Sequence, residues 1–179
     1  GVGEPPAAEW ITPALLCCGL ANEDERLVTA QAALPEENYE VAPVPERTPE
    51  DELTETWVGG RLLSGSDGSG LHPREARLRR CGYALFYGED HSWNVRAALK
   101  GQQQTVPRSE LRVMLDAIPR ADLVAQTVLC DCLMVVRGME RIIAGSHPHS
   151  FDHQDLWVRI SEAYKRMSHP ENFAIKKVK

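Results

Sequence analysis

The chain has 179 residues, 42% of them hydrophobic, enough for one ordinary domain with an extension. No window approaches the roughly 18 consecutive apolar residues of a membrane span, and the prolines and acids at the N-terminus do not read as a signal peptide, so no membrane partner is expected. The net charge of -6 hides a division: residues 1–56 carry 13 acids against 2 bases, a net -11, while residues 57–179 carry 13 against 18, a net +5.

In chain order, "ANEDERLVTAQAAL" reads as a helix opened by Asn22, with Leu27, Ala30 and Leu34 near one face. Residues 35–56 follow, rich in Pro and Glu and poor in periodic apolar positions. That composition does not bury enough surface to offset ordering entropy, so the segment is expected to be a linker without regular structure. Residues 1–56 are thus read as an acidic extension and residues 57–179 as the domain.

Within the domain, "WVGGRLLSGSDGSG" reads as a strand ending in a Gly/Ser turn. "CGYALFYGED" reads as a second strand with Tyr83, Leu85 and Tyr87 on one face, and "SWNVRAALKG" as a short third. Short connections between them imply an antiparallel meander. The period then changes. "VPRSELRVMLDAIPRA" spaces Leu111, Met114 or Leu115, and Ile118 as an amphipathic helix does, with Pro107 at its first turn and Pro119 as its expected end. "LVAQTVLC" is a buried strand, followed by a helix that Asp131 is expected to cap and Gly145 to stop. "HQDLWVRISEAYKRM" is a further helix and "NFAIKKV" a last strand. The order β-β-β-α-β-α-α-β predicts an α/β fold with a mixed sheet covered by helices.

Three acids stand out on this plan: Asp67 in the first strand, Glu110 in the first turns of a helix, and Asp131 at the end of a parallel strand, where α/β sheets place ligands. Taken singly, each has a structural role open to it as turn former, dipole partner or cap. If the first strand is central, all three converge, and convergent carboxylates raise one another's pKa unless a cation joins them. Oxygen donors without His or Cys suit Mg²⁺ or Mn²⁺.

The five cysteines, Cys17, Cys18, Cys81, Cys130 and Cys132, lack paired zinc spacing and read as reduced thiols of a cytoplasmic or nuclear protein. His147, His149 and His153 lie in a stretch without a matching Cys/His partner set and read as a solvated loop. Arg74, Arg77, Arg79 and Arg80 fit either phosphate contacts or a charged surface loop.

Taken in order, "SDGSG", "GYALFYGED", "QTVPRSELRVMLDAI", "VLCDCLMVVRGM", "DLWVRI" and "FAIKKVK" make residues 57–179 resemble a ribonuclease H type 1 domain, of the kind attached to reverse transcriptases of retroelements. The resemblance implies an RNase H-like mixed five-stranded sheet, three antiparallel strands followed by parallel ones. It implies Mg²⁺-dependent hydrolysis of the RNA strand of RNA/DNA hybrids, with two ions, or Mn²⁺ in their place, held by Asp67, Glu110 and Asp131 as catalytic residues.

Cellular members of that family carry an Asn pair where this chain has Val106 and Pro107, so RNA contacts are expected instead from Gly68, Ser69, Gln104, Thr105 and Arg108. The resemblance also implies a retroelement polyprotein with a reverse transcriptase domain in the same parent chain. The family's last strand leads to a helix bearing a fourth metal-binding acid, and the sequence stops at Lys179, so the domain is expected to be C-terminally incomplete. Two other functions stay open: a catalytically inactive RNase H-fold module that binds nucleic acid, and a related nuclease or strand-transfer enzyme acting on DNA.

Overall fold

In the computed structural model, the described residues are 34–147 except 73 and 77, together with 152–179. The helix expected to open at Asn22 lies outside them, as do Cys17, Cys18, Arg77 and His149. The elements are α1 (Pro49–Glu52), β1 (Trp57–Val58), β2 (Arg61–Leu71), β3 (Arg80–Phe86), β4 (Val95–Ala98), α2 (Val106–Leu123), β5 (Gln126–Cys130), α3 (Leu133–Ile143), α4 (Gln154–Lys165) and β6 (Phe173–Lys177).

The expected first strand is split in two. Gly59 and Gly60 both adopt positive φ, 59° and 75°, and make a two-residue hairpin that pairs Val58 with Arg61. This adds β1 to the five expected strands. The principal sheet order is β4-β3-β2-β5-β6: β3 is antiparallel to its two neighbours β2 and β4, and β5 and β6 run parallel to β2. That is the mixed sheet of an RNase H-like fold, with long β2 at its centre.

Alternation along β2 buries Leu62, Ser64 and Ser66, and along β3 it buries Cys81, Tyr83 and Leu85. This face receives α2, whose Leu111, Met114 and Ile118 are almost fully buried, and α4 packs on α2 in turn. Gly138 of α3 is required by packing. A Cβ there would lie 2.1 Å from the indole of Trp157, so only glycine lets the α4 tryptophan enter.

Two helix boundaries differ from expectation. Pro119 lies inside α2, which continues to Leu123. The last turn is tied down by Arg120, which donates to the carbonyls of Asp116 at 2.8 Å and Trp93 at 3.1 Å. The N-cap of α3 is Cys132, without a side-chain cap bond, so Asp131 is released from capping. Gly145, at φ 87°, terminates α3 as expected, its N–H donating to Ile142.

Residues 35–56 carry no helix or strand beyond the single turn of α1, as expected, but the expectation of loose attachment fails. This strap is docked along its length. The amide of Gly101 donates to Pro35, Arg112 donates to the Glu40 carbonyl at 2.6 Å, and the Trp93 indole donates to Pro45 at 2.7 Å. Tyr39, Val41 and Val44 pack against the core. The prolines do preclude a ladder, but side chains of the domain satisfy the strap's carbonyls in its place.

Thr48 opens the one-turn α1 with a reciprocal capping box to Asp51. The Asp51 carboxylate also accepts from the Ser92 amide at 2.8 Å and the Ser92 hydroxyl at 2.6 Å. Beside it, Glu55 receives a two-pronged Arg47, the Trp57 indole and His91 Nε2. The Trp93 amide donates to His91 Nδ1, so the ring proton sits on Nε2, facing Glu55.

Burial pushes the Asp51 pKa up, but the hydrogen bonds from Ser92 and Thr48 outweigh it and hold the carboxyl well below the usual range. A depressed carboxylate stabilises above its unfolded pKa of about 4 and loses that contribution as pH falls below it. Asp51→Ala is therefore expected to lower stability by about 2 kcal/mol at neutral pH. In urea unfolding, the gap between wild type and variant should begin to narrow as pH falls below about 4 and close only well below that, where the folded carboxyl takes up its proton. A gap independent of pH would contradict this role.

Candidate functional site

The parallel strand β5 stops one residue short of the acid on β2. Cys130, its last residue, pairs with Ser66, so Asp67 and Asp131 emerge side by side where the sheet opens. Asp67 also faces Ala84 of β3. The third acid arrives from the helical layer. Thr105 caps α2 by accepting from the Arg108 amide, and its next turn carries Glu110 over the same strand end.

What brings Glu110 there is the absence of a side chain at Gly68. A Cβ on Gly68 would lie 2.4 Å from Ser109 Oγ and 2.9 Å from Glu110 Cγ. The helix presses directly on the strand backbone, and the Gly68 amide donates to Glu110 Oε1 at 2.8 Å.

Carboxylate oxygens of Asp67, Glu110 and Asp131 all lie within 4.8 Å of one another. Glu110 is buried and the other two are exposed, so the cluster has a fixed floor and an open rim. Burial first, then the negative charges of Asp131 and Asp67, raise the Glu110 pKa to about 7 against the lowering effect of the Gly68 amide. Its second oxygen, Oε2, is buried with no hydrogen-bond partner. An orphaned buried oxygen among three carboxylates, with no nitrogen or sulfur donor, fits a hard divalent cation.

The other residues singled out from sequence separate into two groups. Ser69 is exposed two positions along β2 from Asp67, on the same face of the strand, and Gly68 contributes its amide. Gln104 is buried, accepting from the Cys81 amide and donating to Leu99 and Gly101, so its side chain is committed to the loop before α2. Arg108 is buried in a two-pronged pair with Asp155, at 2.9 and 2.6 Å, and Thr105 is occupied as the α2 cap.

Sequence reasoning missed Asp155 and Tyr39, whose hydroxyl donates to Asp155 at 2.6 Å. Tyr39 belongs to no motif, and Asp155 opens "DLWVRI" without being read there as a site residue. Their only signal was the position of Asp155 in the first turn of a helix. Of the histidines, His153 is half-buried at φ 61° ahead of α4 and His147 is exposed. Arg74 is exposed, whereas Arg79 and Arg80 are half-buried.

The strand order is the mixed sheet expected of an RNase H-like fold, and the three carboxylates stand at its opening. No protein-family model and no curated protein matches the chain. Among solved structures it is similar to the PFV RNase H domain in solution, at 17% identity over 65% of this chain and 78% of that one, with a TM-score of 0.48. It is likewise similar to LC11-RNase H1 isolated from compost, at 10% identity over 66% and 84%, with a TM-score of 0.47. A third match is the native prototype foamy virus protease-reverse transcriptase, at 16% identity and a TM-score of 0.46. There, 65% of this chain spans 17% of the larger protein. Among the described residues, no helix is long and apolar enough to cross a membrane.

The raised Glu110 pKa has a definite sign. The folded state retains a proton that the unfolded chain releases above about 4.3, so this stabilisation is complete below that pH and is lost as pH rises through about 7. In EDTA, melting temperature is expected to fall between pH 5 and 7 and then level, and Glu110→Gln, which keeps an acceptor for Gly68, should remove that slope. An unchanged slope in the variant would show that Glu110 does not titrate in this range.

Proposed function

We propose that this domain is a divalent-metal-dependent nuclease that hydrolyses the RNA strand of RNA/DNA hybrids, with Asp67, Glu110 and Asp131 as the metal-holding carboxylates. The observation that carries the reading is the convergence of those three acids within 4.8 Å at the sheet opening, with Glu110 Oε2 buried and unpaired. Mg²⁺, or Mn²⁺ in its place, would supply Lewis acidity at the phosphoryl oxygen and a water activated for attack.

The chain's own residues provide the frame for that chemistry. Gly68 fixes Glu110 through its amide, and the sheet fixes Asp67 against Asp131. The exposed rim admits a polymer backbone rather than enclosing a small molecule. With Gln104 and Arg108 committed internally, and the Gly68 amide given to Glu110, we assign substrate contact to the exposed Ser69 side chain, which suits recognition of phosphate and 2′-hydroxyl groups with weak sequence preference. The free thiols of Cys81, Cys130 and Cys132 suit a reducing cytoplasm or nucleus. The same reading places the domain beside a reverse transcriptase in a retroelement polyprotein, on the strength of the motif order in residues 57–179.

The test is cleavage of an end-labelled RNA/DNA hybrid by the 179-residue chain with Mg²⁺, Mn²⁺ or EDTA, beside single-stranded RNA and duplex DNA. Internal cuts in the RNA strand of the hybrid, dependent on metal and reduced at least about 100-fold by Asp67→Asn, are expected. Hybrid that is bound and never cut would make the domain a binding module. Cuts unaffected by Asp67→Asn would remove the cluster from the chemistry.

A further inference from the structure

Two arginines one turn apart on α2, Arg108 and Arg112, are tied to α4 and to the strap rather than to the carboxylate cluster. Arg112 donates to the Glu40 carbonyl at 2.6 Å, pairs with Asp116 and lies over the Tyr83 ring. Arg108 grips both oxygens of Asp155, and Tyr39 of the strap donates to the same carboxylate.

Glu110 lies between these arginines in sequence, about 200° around the helix from Arg108, and so projects from the opposite side toward Gly68. The first turns of α2 are held between two attachments. The strap fixes the back, and the Gly68 contact meets the front.

Tyr39 is itself held with unusual firmness. Its φ of 55° is a left-handed conformation that a non-glycine residue keeps only when its surroundings over-determine it. Here the backbone amide is bonded to Glu37 Oε1 at 2.8 Å, the ring lies 4.7 Å beneath the Arg159 guanidinium, and the hydroxyl is bonded to Asp155.

We propose that Tyr39, Asp155 and Arg108 are positioning residues for Glu110, so that the docked strap sets the geometry of the carboxylate cluster. None of the three touches the cluster's own oxygens among the contacts of the structure; they act through the α2 backbone. The consequence is a functional link between the segment preceding the domain and the site. A strap displaced at Tyr39 takes one hydrogen bond from the Asp155 carboxylate that grips Arg108, and so loosens the turn that carries Glu110. This inference rests on the reading of the cluster as a metal site.

The test measures Mn²⁺ affinity of the full chain by electron paramagnetic resonance, at a temperature where circular dichroism shows every variant folded. Asp155→Asn is expected to weaken binding about 10-fold, the lower end for residues that orient a metal ligand indirectly. Tyr39→Phe, which keeps the ring and removes one hydrogen bond, is expected to weaken it about 3-fold.

Phe173→Leu opens the core at the start of β6, the far end of the sheet from the cluster, and is expected to lower stability with Mn²⁺ affinity unchanged. Asp67→Asn reports on the metal site itself. If Asp67→Asn weakens binding while Asp155→Asn and Tyr39→Phe bind as wild type, the positioning role is overturned and the metal site stands. If Phe173→Leu weakens binding as much as Asp155→Asn, the effect is general destabilisation and the inference is again overturned. If Asp67→Asn itself binds as wild type, the metal reading falls and takes the inference with it.

Discussion

The contact between Gly68 and Glu110 is the constraint on which the site depends. A helix packed on a sheet ordinarily stands off by the height of the side chains between them. At Gly68 that spacing collapses, because the space for a Cβ is taken by Ser109 and Glu110 of α2. The close approach lets a strand amide hydrogen-bond a helix carboxylate, placing a buried acid beside the exposed Asp67 and Asp131. The result is electrostatically unfavourable without a cation, and the raised Glu110 pKa expresses that. The site is held together by packing around it, against the mutual repulsion of its own charges.

The surrounding structure supplies this holding force from several directions. β5 ends where it must for Asp131 to stand beside Asp67, and α3 starts without drawing on the Asp131 carboxylate for its cap. On the outer side of α2, the strap from residue 34 to 56 is attached by backbone carbonyls to Arg112 and Trp93 and by buried charge to His91 and Ser92. The buried carboxylates of this segment are met chiefly by hydrogen-bond donors, Ser92 and His91 of the domain and Arg47 of the strap itself.

What was legible in the sequence was whatever repeats locally. Alternation in "GYALFY" and helical spacing from Leu111 to Ile118 correctly assign β3 and α2, and the order of elements yields the mixed sheet. The convergence of Asp67, Glu110 and Asp131 was legible because one acid lies within the central strand, one just beyond the end of its parallel neighbour, and the third in the opening turns of a helix. The strap was not legible. Its anchors are single side chains far away in sequence, such as Arg112 and Trp93, and its own apolar residues are separated by prolines that read locally as linker. Pro119 misled for a related reason. Its helix-breaking cost is local, whereas the attachments of Arg120 to Asp116 and Trp93 that accompany the last turn are tertiary. Gln104 and Arg108, expected as substrate contacts, are buried and hydrogen-bonded within the domain, through partners that lie outside the motif.

The most direct test of the central claim, that the three acids form a divalent-metal site, is anomalous diffraction from crystals of the chain grown or soaked in Mn²⁺. The account predicts an anomalous peak in contact with carboxylate oxygens of Asp67, Glu110 and Asp131, at the roughly 2.0–2.2 Å expected for a small hard divalent ion. Glu110 Oε2 or Oε1 should be among its ligands, and Gly68 should still support the helix from below. A well-ordered cluster with no peak at saturating Mn²⁺, or a peak held elsewhere with the three carboxylates left apart from it, would contradict it.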